Sequence, residues 1–244
     1  MKLYLAGFDN EGFRNYLKDF KPMNILISYF YSKNLNGLPK HKNLLVDSGG
    51  YSARVKNINI DVDKYGKWLF EKDVDNYFNL DSKDLDETKK NQNRLENMGL
   101  NPIPIWHPQH GKKELEELIS SYDYIGIGNI TGGNTGSRKR RERVLNFIKQ
   151  YKDTKFHLFG VTDKKLIKKY QNFFYSTDST TWLNGGKYGK FFYFDKGTLK
   201  VFNKDRFSEK FKNKAFRKLP HEEITKWNLI QWKKYADYLQ EDKI

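Results

Sequence analysis

Short apolar segments alternate with helix-like stretches over most of this chain, and this alternation limits its possible folds most strongly. Strands separated by helices predict parallel βα units, and a series of eight predicts a closed (β/α)8 TIM-like barrel of the α/β class. The linker 32–43 is too irregular for a helix, so we expect the barrel to be imperfect. The predicted strands are 2–6, 24–31, 44–47, 77–81, 103–106, 124–128, 156–160 and 173–176, and the predicted helices are 9–20, 61–73, 84–98, 113–122, 137–151 and 163–170.

A different pattern follows the last predicted strand. Residues 191–202 predict a β-hairpin that turns at Asp195-Lys196-Gly197, and residues 221–239 have the apolar spacing of one amphipathic helix. We therefore expect a single domain over residues 1–244, with a barrel over about 1–190 and a hairpin and helix over 191–244. Whether this C-terminal part binds a substrate or a second subunit stays open at this point.

The composition narrows the possible partners and cofactors. There are 45 lysines and arginines against 30 aspartates and glutamates, which gives a net charge of +15. This surplus favours a polyanionic partner, most often nucleic acid, although a membrane surface or simple solubility would also account for it. The absence of cysteine excludes disulfides, thiolate nucleophiles and cysteine zinc sites, and we expect no metal or other cofactor. No apolar run approaches a membrane span and no signal-peptide profile opens the chain, so we expect an intracellular, cytoplasmic protein without membrane contact.

Two stretches place an aspartate where an apolar segment gives way to small polar residues. The first is LLVDSGGY, residues 44–51, with Asp47 directly before Ser48, Gly49 and Gly50. The second is FFYSTDSTTW, residues 173–182, with Asp178. Each aspartate could be a turn residue or a helix cap, but a pair of carboxylates at strand ends also indicates acid, base or nucleophilic chemistry.

In a parallel barrel the carboxyl ends of all strands meet at one face, where enzymes of this architecture have their active sites. The predicted ends carry three carboxylates, an imidazole and glycine-rich backbone, so we predict a pocket lined by Asp47, Asp81, His107, Gly128 with Asn129, Gly160 and Asp178. His107 and His110 do not predict a metal site, because no third ligand is evident and Pro108 interrupts any helix. His157 lies between apolar neighbours and is typical of a satisfied core histidine.

A basic run, SRKRRER, opens the predicted helix 137–151. Helix N-termini attract anions, and cations at this position oppose the helix dipole, which is a local cost. We expect Arg138, Lys139, Arg140 and Arg141 to contact nucleic-acid phosphates, with a solvated helix face as the alternative.

Four motifs occur in a fixed order: LLVDSGGY, YIGIGN with ITGG, HLFGV and STDSTTW. Together they resemble the tRNA-guanine transglycosylase superfamily, whose members are (β/α)8 barrels that exchange guanine for a 7-deazaguanine base. The resemblance covers about residues 44–182. It implies a transferase that needs a nucleic acid and a free 7-deazaguanine base as substrates.

The resemblance also implies roles for single residues. Asp178 matches the nucleophile that forms a covalent bond to the sugar C1′, and Asp47 matches the general acid and base. Tyr51 matches an aromatic residue that stacks on the base, and Asp81 matches a carboxylate that reads the guanine edge. The other expected substrate-binding residues are Ser48, Gly49, His107, Gln109, Gly128, Asn129 and Gly160; His107 and Gln109 both fall where the family has a pocket glutamine, and which of them replaces it stays open.

Departures from the family pattern favour one branch of it. The chain has no cysteine for the zinc site of the bacterial and eukaryotic enzymes, and the RNA-binding extension of the archaeal enzymes is missing after Asp178. The TDSTTW segment looks more like the DNA-acting branch found in bacteriophages and bacterial modification clusters. We therefore expect 7-deazaguanine insertion into DNA, with the same exchange on tRNA, or a catalytically silent nucleic-acid-binding barrel that assists a partner subunit, as alternatives. The protein could also be a homodimer.

Overall fold

A computed structural model of the protein describes residues 1–9, 14, 20–130 and 138–241. Its main element is a seven-stranded, entirely parallel sheet with the strand order β3-β2-β1-β7-β6-β5-β4. The predicted parallel α/β architecture is thereby confirmed. The strands are β1 (Lys2–Ala6), β2 (Met23–Ser28), β3 (His41–Asp47), β4 (Ile105–Trp106), β5 (Tyr124–Ile127), β6 (Lys155–Leu158) and β7 (Ser176–Ser179).

Helices connect most of these strands and cover the outside of the curled sheet. They are α1 (Gly50–Val55), α2 (Val62–Glu71), α3 (Leu85–Asn97), α4 (Gly111–Ser121), α5 (Arg138–Ile148), α6 (Lys164–Tyr170) and α7 (Thr181–Lys187). The linker 32–43 contains no helix, as expected. Most of the predicted helix 9–20 lies outside the described residues, as does the predicted N-cap Ser137. No described helix is long and apolar enough to cross a membrane.

The segment 77–79 connects the two edges of the curled sheet. Val46 forms a parallel bridge with Tyr77, and Phe78 forms another with Ile103. Four backbone hydrogen bonds of 2.8–2.9 Å accompany these bridges. The predicted strands 77–81 and 103–106 are therefore shorter than expected, although their backbones lie where strands would lie.

The alternation of side chains along each strand divides the core into two layers. Leu3 and Leu5 of β1 pack outward beneath the helices, in the largest apolar cluster. Tyr4 and Ala6 point to the opposite, concave face, where they join Phe78 in a smaller cluster. Because Tyr4 is in register with Asp178, the alternate residues of β7 also face this concave interior.

The position of β7 corrects the sequence-based prediction of a strand at 173–176. The strand is Ser176–Ser179, a polar stretch, while Phe174 packs in the core before it begins. The hydroxyls of Ser176 and Thr177 have partners on β6: Ser176 Oγ lies 2.8 Å from Nδ1 of His157, and the Thr177 hydroxyl donates to Leu158 O at 2.7 Å. Asp178 consequently lies within the strand and not beyond its end.

The C-terminal part consists of the hairpin β8 (Lys190–Asp195) and β9 (Thr198–Asn203), then α8 (Lys204–Lys210), a 3-10 turn (Lys214–Lys218) and the long helix α9 (His221–Gln240). The hairpin and long helix were predicted, whereas α1, α7, α8 and the turn were not. Lys196 and Gly197, both at positive φ, form the two-residue hairpin loop. Phe191 stacks on Phe207 with ring centroids 4.2 Å apart.

The side chain of Asn228 links α9 to both β8 and α7 through hydrogen bonds. It is fully buried; its Oδ1 accepts from the Phe192 N–H at 2.8 Å, and its Nδ2 donates to Lys190 O at 3.0 Å and to Trp182 O at 3.5 Å. An Asn228→Ala substitution leaves these backbone groups unpaired in the core. We expect it to lower the free energy of unfolding by about 3 kcal/mol in urea titrations. Ile230→Ala, on the exposed side of the same helix, is the control and should cost well under half as much; equal losses would contradict this role of Asn228.

Candidate active site

A pocket of about 350 Å³ opens at the carboxyl ends of the strands. Nine predicted residues line it together: Asp47, Tyr51, Asp81, His107, Gln109, Gly128, Asn129, Gly160 and Asp178. Five further lining residues were not predicted from the sequence: Ser52, Arg54, Lys83, Ile105 and Phe159. A concave site of this size that gathers several polar groups is typical of small-ligand sites.

Two predicted binding residues, Ser48 and Gly49, do not line the pocket but shape the loop beneath it. Ser48 is fully buried, and its Oγ accepts a hydrogen bond from the Gly50 N–H at 3.3 Å. Gly49 has a φ of 79°, and a Cβ there would lie 2.4 Å from Cβ of Phe30. A Cβ on Gly50 would lie 2.8 Å from the Asp81 carbonyl oxygen. The two glycines therefore let the loop after β3 turn sharply and approach Asp81 closely.

Asp47 ends β3 and holds the most perturbed carboxyl group of the pocket. Its pKa is raised from 3.8 to about 7, first because burial penalises the charged form and then because Asp81 and Asp178 repel a further negative charge. A hydrogen bond from the Gly49 backbone opposes this effect only in part. Near neutral pH, Asp47 can therefore both give and take a proton.

Asp178 is held by β6 and the loop that follows it. Its Oδ1 accepts a hydrogen bond from the Gly160 N–H at 2.7 Å and lies 3.4 Å from Nε2 of His157. The imidazole of His157 is fully buried, and its Nδ1 is 2.8 Å from Oγ of Ser176, which is 2.7 Å from the hydroxyl of Tyr124. His157 is buried as expected but is only half satisfied: Nδ1 has Ser176 as its partner, whereas Nε2 forms no hydrogen bond and faces the carboxylate of the pocket.

Asp81 is surrounded by a different set of groups. Nε2 of His107 lies 2.9 Å from its Oδ2, although not aligned for a hydrogen bond. The Arg54 guanidinium donates to the Asp81 carbonyl oxygen and lies 3.4 Å from Oδ2. On its other side the His107 ring meets the Gln109 amide at 3.2 Å, and Gln109 accepts from the Asn129 amide at 3.1 Å. The structure therefore joins Asn129, Gln109, His107 and Asp81 in one chain of polar contacts.

Aromatic rings give the pocket an apolar surface. Phe159 packs on Phe78 with ring centroids 4.6 Å apart, and both adjoin His157. Gly126 leaves room for these rings, since a Cβ there would lie 2.8 Å from Phe159. Tyr51 stands at the mouth with 66 % of its surface exposed. A flat, partly polar ring is the kind of ligand that such walls accommodate.

The predicted phosphate-binding residues begin α5 and do not line this pocket. Arg138 and Lys139 are exposed, and Arg138 lies 3.8 Å from Glu142 of the same helix. Arg140 lines a separate cleft with Trp106 and Arg143. Residues 131–137, which precede them, lie outside the described part of the chain.

Arg54 was not predicted from the sequence, because its contact with Asp81 depends on α1. This helix has only six residues, and no periodic pattern in the sequence predicts it. Asp9 was predicted only to begin the helix 9–20. In the structure the Ser28 N–H donates to Oδ1 of Asp9 at 3.0 Å, and burial raises the pKa of this carboxyl group. Asp9 also adds to the negative field at Asp47.

Among the described residues, no three His, Asp or Glu side chains are arranged to hold a metal ion. No protein-family model matches the chain, and no curated protein does. Any function assigned to the pocket therefore depends on the residues themselves and on the motif resemblance.

The raised pKa of Asp47 makes stability depend on pH. Because the folded-state pKa exceeds the unfolded value, the contribution of Asp47 to stability falls as pH rises from about 4 to about 7 and levels off above it. Asp47→Asn removes this ionisation cost. We expect the variant to be more stable than the wild type by on the order of 2 kcal/mol at pH 8 and about equal at pH 4, measured by urea unfolding.

The control for this measurement is Asp86→Asn, which changes an exposed carboxyl group in the first turn of α3. It should alter stability by a similar small amount at both pH values. A gain for Asp47→Asn that is the same at pH 4 and pH 8 would show that ionisation of Asp47 is not what destabilises the protein.

Proposed function

We propose that this protein is a base-exchange transglycosylase that replaces guanine in DNA with a 7-deazaguanine base through a covalent bond to Asp178. The proposal depends on one observation. Two carboxyl groups, those of Asp47 and Asp178, line the same pocket, and their environments differ. One has a pKa raised to about 7, and the other is held by a backbone N–H. Double-displacement chemistry at a sugar carbon needs one acid and one nucleophile of this kind.

The fold supports the proposal through its topology. Counting the segment 77–79 and residues 103–106 as members, we propose that the curled sheet corresponds to an imperfect eight-membered (β/α)8 barrel. The bridges at Val46–Tyr77 and Phe78–Ile103 are the contacts that would close it. In such a barrel the chemistry lies at the carboxyl ends of the strands, where this pocket opens.

In the first step, a carboxylate oxygen of Asp178 attacks C1′ of the target nucleotide while the bond from C1′ to the guanine nitrogen breaks. Protonated Asp47 gives its proton to the departing base, whose electron pair would otherwise be poorly stabilised. The product is a glycosyl ester of Asp178 and free guanine, and the phosphodiester backbone stays intact.

In the second step, the incoming 7-deazaguanine loses a proton to Asp47 and attacks C1′ with the freed electron pair. The ester bond to Asp178 breaks, which regenerates the carboxylate. Asp47 is then protonated again for the next cycle, so that protons balance over the two steps.

The remaining side chains of the pocket suit the recognition of a guanine-type base. Guanine and its 7-deaza analogues present N–H donors on one edge, and the Asp81 carboxylate is the matching acceptor. Arg54 and His107 hold that carboxylate from two sides. Tyr51 and Phe159 offer aromatic surfaces to the ring, which must leave the base stack to reach the pocket.

We test the proposal by release of labelled guanine from duplex DNA and from tRNA, with free 7-deazaguanine bases supplied. We expect release from DNA, and a loss of at least about 10³-fold with Asp178→Ala or Asp178→Asn, because either substitution removes the proposed nucleophile. The wild type should also yield a protein–DNA adduct that survives denaturing electrophoresis. The matched control is Asp123→Asn, outside the pocket.

The alternatives give different outcomes in the same assay. Release from tRNA alone moves the substrate to RNA and leaves the mechanism unchanged. No release from either, with normal nucleic-acid binding, would favour a silent binding subunit. Normal release with Asp178→Asn would refute the nucleophile assignment.

The raised pKa of Asp47 predicts the pH dependence of base release. Departure of guanine needs the protonated acid, so the single-turnover rate should fall as pH rises above about 7. Asp47→Asn should be slower by roughly 10²–10⁴-fold and should lose this alkaline limb. The measurement is single-turnover guanine release between pH 5.5 and 9; a limb that persists in the variant would belong to another group.

A further inference from the structure

A second concave site lies on the flank of the fold, between α6 and the C-terminal hairpin. This groove, of about 590 Å³, is lined on one side by Lys164, Lys165 and Lys168 of α6 and on the other by Lys200 of β9. Its floor is formed by apolar and aromatic side chains, including Leu199 and Phe202. No carboxylate is among its lining residues.

Residues 187–218, which we call the C-terminal module, add to the positive charge around the groove. The module contains eleven lysines and arginines but only three acidic residues. All three acids already face a cation of the same module: Asp195 lies 2.6 Å from Lys200, and Asp205 and Glu209 both contact Arg217. The module therefore carries about half of the surplus positive charge of the chain on a small part of its surface.

The lysines of the groove differ in their surroundings. The Lys164 ammonium group donates to the Leu199 carbonyl oxygen, and burial lowers its pKa. Lys165 and Lys168 are exposed and form no ion pair within the described residues. Several cations that line one concave surface raise the local positive potential, which favours the binding of an anion there.

The groove also lies near the pocket along the chain. Gly160 lines the pocket and holds Asp178, and α6 begins at Lys164, directly after the capping residue Asp163. Because α6 follows β6, its first residues lie at the face of the sheet on which the pocket opens. A polymer whose one residue enters the pocket would have its neighbouring residues on that same face.

We propose that this groove binds the phosphodiester backbone of the nucleic acid beside the nucleotide that enters the pocket. Lysine ammonium groups contact phosphates without reading the base sequence, which suits a track for flanking backbone. The position of the groove on the substrate rests on the proposed function, but the binding itself can be measured separately.

The test uses the full chain with Asp178→Ala, so that no base is exchanged, and follows fluorescence anisotropy of a labelled 30-base-pair DNA duplex and of tRNA between 50 and 200 mM salt. The groove variant carries Lys165→Gln, Lys168→Gln and Lys200→Gln. The control carries Lys42→Gln, Lys72→Gln and Lys90→Gln, which remove the same charge from exposed positions elsewhere.

We expect the groove variant to bind at least about tenfold more weakly at the lower salt concentration, and its slope of log K against log salt to be smaller by about two to three than that of the control. The nucleic acid that loses this affinity identifies the source of the backbone, DNA or RNA. Equal slopes for the two variants would overturn the proposal.

Two further measurements keep the outcomes distinct. Thermal unfolding checks that the groove variant folds, and single substitutions of Lys165 and Lys168 replace it if it does not. Guanine release is measured with the groove substitutions in the chain that retains Asp178. Base exchange by the wild type, together with unchanged binding of the groove variant, would refute the groove and leave the enzyme. Weakened binding of the groove variant, together with no base exchange by the wild type, would support the groove and refute the proposed function.

Discussion

Three carboxyl groups share one pocket, and the structure depends on how their mutual repulsion is offset. Asp178 receives a backbone N–H and lies beside a buried imidazole, and Asp81 lies between a guanidinium and a second imidazole. Asp47 has no ion pair with any described residue, and its pKa rises to about 7. The repulsion is therefore offset by cationic or hydrogen-bonding neighbours at two of the carboxyl groups and by partial protonation of the third near neutral pH.

Backbone geometry makes this crowding possible. Gly49 and Gly50 allow the loop after β3 to run against Asp81, and Gly128 leaves room for the His107 ring, since a Cβ there would lie 2.9 Å from its Nε2. Any larger residue would push one wall of the pocket outward. The glycines of the motif thus act by letting polar side chains approach each other, and the fully buried Ser48 contributes to the shape of the loop only.

The sequence predicted the site better than it predicted the elements around it. Carboxyl ends of parallel strands must converge, so reading Asp47, Asp81 and Asp178 as neighbours needed only approximate strand positions. The placement of β7 failed because apolar Phe173 and Phe174 looked like the strand, whereas the true strand is polar and satisfies its hydroxyls through contacts with β6. Arg54 could not be found, because its contact with Asp81 spans 27 residues and depends on a short helix. The apolar neighbours of His157 in the sequence fit a core histidine as well as a histidine beside the pocket. Only its distance to Asp178 in the structure distinguishes these two possibilities.

The distribution of charge separates two tasks that a base-exchanging enzyme would need. The pocket is rich in carboxyl groups and would repel phosphates, so a nucleic acid could insert a neutral base there but not its backbone. The cations lie instead on α5, on α6 and in the C-terminal module. An acidic pocket beside a basic flank orients a polyanion before any base is read, because the backbone is attracted to one surface and excluded from the other. Under the proposed function, affinity would come from the flank and base specificity from Asp81 and its neighbours, so either property could change without loss of the other.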